Sequence, residues 1–153
     1  MLKEGDKAPN VSLPLPDGSA TSVVDQAGKI LILYFYPKDD TPGCTTEAQA
    51  FTALADDFAR ADAVIIGVSK DSAARHTKFI DKYGLKFQLA SDSDDSICDA
   101  YGTWIEKTLY GRNYMGIERA TFLIGKDGRI AKIWHKVKVK GHADEVLAAA
   151  KEL

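Results

Sequence analysis

Cysteine is scarce in this chain: Cys44 and Cys98 are the only two among 153 residues. Two are too few for a disulfide scaffold, and they read better as free thiols or a redox pair in a reducing compartment. No apolar run is long enough to span a bilayer. The opening Met1-Leu-Lys-Glu-Gly-Asp-Lys7 lacks the apolar stretch of a secretory leader, so a cytoplasmic protein is expected. Neither sign of charge dominates, and a net charge of −2 offers nucleic acid or anionic membrane no general attraction. Neither cysteines nor histidines repeat at ligand spacing, so no metal site is expected. There is no linker, repeat or low-complexity block, and the expectation is one domain over residues 1–153. A hydrophobic content of 45% suffices for a sizeable core in a chain of this length.

Ile30 to Tyr36 is continuously apolar and aromatic over a strand's length, as in a central strand buried on both faces. From Thr45 the pattern turns helical, with Ala48, Phe51, Ala55 and Phe58 on one stripe. Ala63 to Val68 reads as a second buried strand, and Asp71 to Tyr83 as a helix stopped by Gly84. Phe87 to Ala90 predicts a short strand, and Asp94 to Tyr101 a short helix before Gly102. Thr121 to Ile124 and Ile130 to Trp134 flank Lys126-Asp127-Gly128 as a hairpin, and His142 to Glu152 forms an alanine-rich closing helix. Pro14 to Gly18 marks a turn between two short N-terminal segments. This order predicts an α/β fold with a mixed central sheet flanked by helices, and a thioredoxin-like layout is its simplest form.

Cys44 follows Pro37-Lys-Asp-Asp-Thr41-Pro42-Gly43, between a strand and a helix start. Unpaired N–H groups and the positive end of the helix dipole favour a thiolate at such a position. A Thr-Pro-Gly turn is a poor place to pack a small apolar residue, so a reactive thiol is expected rather than a buried one. Thr41 occupies the position of the first cysteine in a Cys-x-x-Cys motif, which excludes disulfide exchange within the motif. His76, His135 and His142 lie in no distinctive context and are expected at the surface or a strand edge, which argues against a cysteine hydrolase. Redox attack of one thiolate on a soft electrophile remains.

The segment Tyr34-Phe-Tyr-Pro-Lys-Asp-Asp-Thr-Pro-Gly-Cys-Thr-Thr-Glu47 resembles the Pro-x-x-x-Thr-x-x-Cys signature of peroxiredoxins, specifically the Q subfamily or bacterioferritin comigratory proteins. The likeness continues through Gly67 to Ser72, Ile117 to Ile124 and Lys136 to Leu147. It implies a thioredoxin fold and reduction of hydrogen peroxide and organic hydroperoxides without a cofactor. It further implies that Cys44 attacks the peroxide and becomes a sulfenic acid. Thr41 would offer its hydroxyl, Pro37 would shield the site from water, and Arg119 would favour thiolate and bind the peroxide oxygens. The N–H groups of Gly43 and Cys44 would complete the donor set. Glu47 is read first as serving the helix start, and second as orienting the arginine.

Many members of the subfamily place a resolving cysteine five residues after the first, where this chain has Gln49; the next helix, where others place it, has none. Cys98 is read first as a packed small residue and second as an unconventional resolving thiol. A one-cysteine mechanism is therefore expected, with thioredoxin, glutaredoxin or a low-molecular-weight thiol as reductant, and the resemblance implies a monomer or weak dimer as the assembly. Alternatives are a two-cysteine enzyme using Cys98, a sensor passing oxidation from Cys44 to a partner protein, and a holdase or structural role independent of Cys44. Trp134 to Lys140 alternates lysine and valine and is read as a half-exposed strand rather than a nucleic-acid contact. Asp92-Ser-Asp-Asp95 is read as capping the short helix rather than binding a cation.

Overall fold

A computed structural model describes all 153 residues, Met1–Leu153. The apolar runs pair into a five-stranded sheet built from β3 (Ile30–Phe35), β4 (Ala63–Ser69), β5 (Gln88–Ser91), β8 (Ala120–Ile124) and β9 (Ile130–Trp134). Its order is β5-β4-β3-β8-β9, with β4 parallel to β3 and β5 while β8 runs antiparallel to β3 and β9. The sheet is therefore mixed. Every residue of β3 is buried, as its unbroken apolar sequence requires.

Alternation along β3 divides the core in two. Leu31, Leu33 and Phe35 join one cluster with Ala90, Ile97, Cys98, Tyr101 and Phe122, covered by α4 (Ser96–Tyr101) and the N-terminal segment. Ile30, Ile32, Tyr34 and Tyr36 join the other. Four helices cover that second face: α1 (Pro42–Ala53), α2 (Ala55–Arg60), α3 (Ala73–Tyr83) and α5 (His142–Lys151). Packing there is close. A Cβ at Gly67 would lie 2.9 Å from the Tyr34 ring, its register partner on β3, so only glycine lets the two strands and that ring coexist.

Three expectations change. The helix after Cys44 starts at Pro42 and is interrupted at Leu54, so its stripe is shared between α1 and α2. The lysine–valine run is not a strand: β9 ends at Trp134, and the Val137 N–H then donates to the Arg119 carbonyl (2.9 Å). A hairpin that sequence patterning did not predict, β6 (Trp104–Leu109) and β7 (Arg112–Ile117), stands apart from the main sheet. Most of its side chains are exposed, so it carries no apolar stripe to read. The N-terminal segments pair as β1 (Ser12–Pro14) and β2 (Ala20–Ser22). In the acidic run, Asp92 accepts from the N–H groups of Ile97 and Cys98 at 3.0 and 2.9 Å, the capping role expected there.

Candidate active site

Cys44 lies in the first turn of α1, just beyond the end of β3. Thr41 precedes the helix with extended backbone (φ −97°, ψ 156°) and makes no side-chain bond to the first turn. Pro42 has no N–H, so the N–H groups of Gly43 and Cys44 open the helix without intrahelical partners. The thiol itself is not on the surface. Cys44 is only 2% exposed and packs in the cluster of Tyr34, Tyr36 and Phe51, contrary to the expectation that the turn would keep it from packing.

Arg119 meets that thiol from the segment before β8. Its Nη2 donates to Cys44 Sγ (3.3 Å) and its Nη1 to Glu47 Oε1 (2.7 Å). Glu47 stands one helical turn beyond Cys44 on the same face, which lets one guanidinium serve both. This corrects the capping role expected of Glu47: its side chain is buried and bound to Arg119. Burial raises the Glu47 carboxyl to about 7 despite the opposing Arg119 charge. Its second oxygen and the buried Tyr34 hydroxyl have no hydrogen-bond partner. Gly43 completes the fit, since a Cβ there would lie 3.3 Å from Arg119 Nη2.

Thr41 Oγ1 donates to the Lys38 carbonyl (2.9 Å), which commits its proton and leaves its lone pairs free to accept. Pro37 is exposed at the start of the loop. The backbone before Arg119 is braced: Glu118 Oε2 takes His135 Nδ1 and the Lys136 N–H, each at 2.9 Å. Lys107 on β6 is a further cation, lowered by burial and then by the Arg119 charge. Sequence patterning missed it because the hairpin that carries it has no periodic signal.

Two histidines are not where they were expected. His76 is fully buried, with Nδ1 2.7 Å from Asp39 Oδ2 and Nε2 3.1 Å from the Ala90 carbonyl. His142 is buried beside Thr121, and burial lowers its imidazole to about 4. Only His135 remains exposed. Cys98 is also buried, and desolvation pushes its thiol up to about 12. It belongs to the other core cluster, with the central sheet between it and Cys44.

Residues 4–133 match the model of the AhpC/TSA family. The chain is 49% identical over 152 residues to peroxiredoxin Bcp of Bacillus subtilis, covering 99% of this chain and 97% of that one. A structure of the Xanthomonas campestris bacterioferritin comigratory protein, studied for alkyl peroxide reduction, superposes with a TM-score of 0.88. It is 48% identical, over 93% of this chain and 90% of the other. A cysteine-to-serine variant of Xylella fastidiosa PrxQ gives a TM-score of 0.94 at 42% identity, over 99% of this chain and 97% of that one.

Proposed function

The chain belongs to the AhpC/TSA family and is a thiol-dependent peroxidase of the peroxiredoxin Bcp type, and we propose that Cys44 is its reacting group in a one-cysteine cycle. The Cys44 thiolate attacks one oxygen of ROOH, forming an S–O bond as the O–O bond breaks. The electron pair leaves with RO⁻, which takes a proton to become ROH, and the sulfur is oxidised to a sulfenic acid. An external thiol then displaces water from the sulfenic acid to give a mixed disulfide. A second thiol releases Cys44 and carries away the disulfide.

Arg119 carries this reading. It is a charged donor 3.3 Å from Sγ, held by the buried Glu47 side chain and set beside the free N–H groups of a helix start. Donors fixed in this way stabilise charge that develops on the leaving oxygen. Thr41 accepts from the peroxide hydroxyl, and Pro37 at the loop's start limits access of water. The substrates are hydrogen peroxide and organic hydroperoxides, in keeping with the alkyl peroxide reduction studied in the Xanthomonas campestris protein.

Placement of Cys98 behind the sheet supports external resolution, because a disulfide needs Cα atoms within about 7 Å. Thioredoxin, glutaredoxin or a low-molecular-weight thiol supplies the electrons to a one-domain monomer or weak dimer with an antioxidant role in the cytoplasm. No helix is long and apolar enough to cross a membrane. Steady-state peroxide consumption with each reductant, compared between the wild type and Cys98→Ser, tests the cycle. Equal turnover is expected; loss of turnover in Cys98→Ser would overturn external resolution.

A further inference from the structure

Resting on the peroxidase reading above, a second constellation beside Cys44 carries a role of its own. The loop Pro37–Thr41 delivers Thr41 to the site, and its centre, Asp39, is 2% exposed. Both carboxylate oxygens of Asp39 are engaged: Oδ1 accepts from the Tyr36 hydroxyl (2.5 Å), and Oδ2 faces His76 Nδ1 (2.7 Å). The Asp39 N–H donates to Asp71 Oδ2 (2.8 Å) just before α3. Next along the loop, Asp40 takes Lys82 Nζ and the Tyr83 hydroxyl at 2.8 and 2.6 Å. The loop is thus tied to Asp71 just ahead of α3, to His76 in the N-terminal half of the helix, and to Lys82 and Tyr83 at its C-terminal end.

Donor counting fixes where a proton must be. The Ala90 carbonyl opposite His76 Nε2 can only accept, so Nε2 carries hydrogen. If Asp39 were ionised and Nδ1 bare, two acceptors would face each other at 2.7 Å in a site closed to water. One proton therefore lies on the Nδ1–Oδ2 bridge, either as imidazolium with carboxylate or as neutral imidazole with carboxylic acid. Nothing in the peroxide chemistry uses this proton. We propose that His76 is a positioning residue: through the proton it shares with Asp39 it fastens the Pro37–Thr41 loop to α3 and β5, and so sets Thr41 against Cys44 and Arg119.

The test separates positioning from thiol reactivity in general. Rates of Cys44 oxidation by hydrogen peroxide and of alkylation by iodoacetamide are measured on the wild type and His76→Leu. Peroxide attack needs Thr41 and Arg119 in register, whereas alkylation needs only the thiolate. A displacement of a reactive group by about 1 Å lowers a rate by as much as ~10²-fold. In His76→Leu the peroxide rate should accordingly fall by about 10-fold or more, with alkylation changed by less than about 3-fold. Asp39→Ala, which leaves no buried anion behind, should give the same split and decides the matter if His76→Leu does not fold. In the wild type, proton NMR should show a deshielded, exchange-protected bridge proton on ¹⁵N-labelled His76, lost in Asp39→Asn. An unchanged peroxide rate, a parallel fall of both rates, or absence of the bridge proton would overturn the proposal. A wild-type Cys44 inert to peroxide would instead overturn the peroxidase cycle itself.

Discussion

The two faces of the central sheet each bury one cysteine, almost equally: Cys44 is 2% exposed and Cys98 is fully buried. Their surroundings differ in charge, not in burial. Cys44 faces the Arg119 guanidinium and unpaired N–H groups at a helix start. The Cys98 backbone N–H is bound by the Asp92 carboxylate, and desolvation drives its thiol up to about 12. Desolvation thus dominates at Cys98, with Thr103, Asp92 and Lys70 acting on its thiol beside it, whereas a guanidinium and free N–H donors meet at Cys44, the setting in which a thiol is most readily activated.

Cys44→Ser should have the largest effect, reducing peroxide turnover to the uncatalysed level in a reductant-coupled assay; retained turnover would move the chemistry elsewhere. Arg119→Met should follow. Removing one fixed donor to a developing oxyanion lowers rates by on the order of 10²–10³-fold, and that loss is expected in kcat/KM for hydrogen peroxide. Arg119→Lys should recover only part of it, because an ammonium cannot reach Sγ and Glu47 together in the guanidinium's fork geometry.

Glu47 gives a stability effect with a definite sign. Burial raises its carboxyl from 4.5 to about 7, so the folded state holds a proton that the unfolded chain has released between those values. Its contribution to stability is full below about pH 4.5 and is lost as pH rises through about 7, by on the order of 3 kcal/mol. Urea unfolding of the wild type should weaken from pH 5 to pH 8 relative to Glu47→Gln, which cannot ionise. A constant difference between the two proteins would contradict this. Cys98→Ala should matter least: peroxide turnover within about two-fold of wild type, and a stability loss of about 1 kcal/mol from the small cavity.

Much of this contrast was legible in the sequence, for identifiable reasons. The apolar run Ile30 to Tyr36 read as a strand covered on both faces, and the family resemblance around Cys44 pointed to Arg119 as the residue that meets it. What escaped reading depended on side chains meeting from distant elements. Glu47 carried a plausible local role as a helix-start carboxylate, and only the approach of Arg119 from 72 residues away shows its actual partner. His76 had no signal, since its partners Asp39 and Ala90 come from a loop and a strand that the sequence does not align with it. The β6–β7 hairpin escaped because exposed strands need no apolar alternation. The lysine–valine alternation misled for the converse reason: a period of two arose in a segment held by bonds to Glu118 and Arg119 instead of by strand pairing.

The most direct test of the account is intact mass after one equivalent of hydrogen peroxide, followed by alkylation of the remaining thiols. A gain of one oxygen at Cys44 with Cys98 still free is expected. Loss of two hydrogens together with both free thiols would contradict it, because the two cysteines would then have bonded across the sheet that separates them.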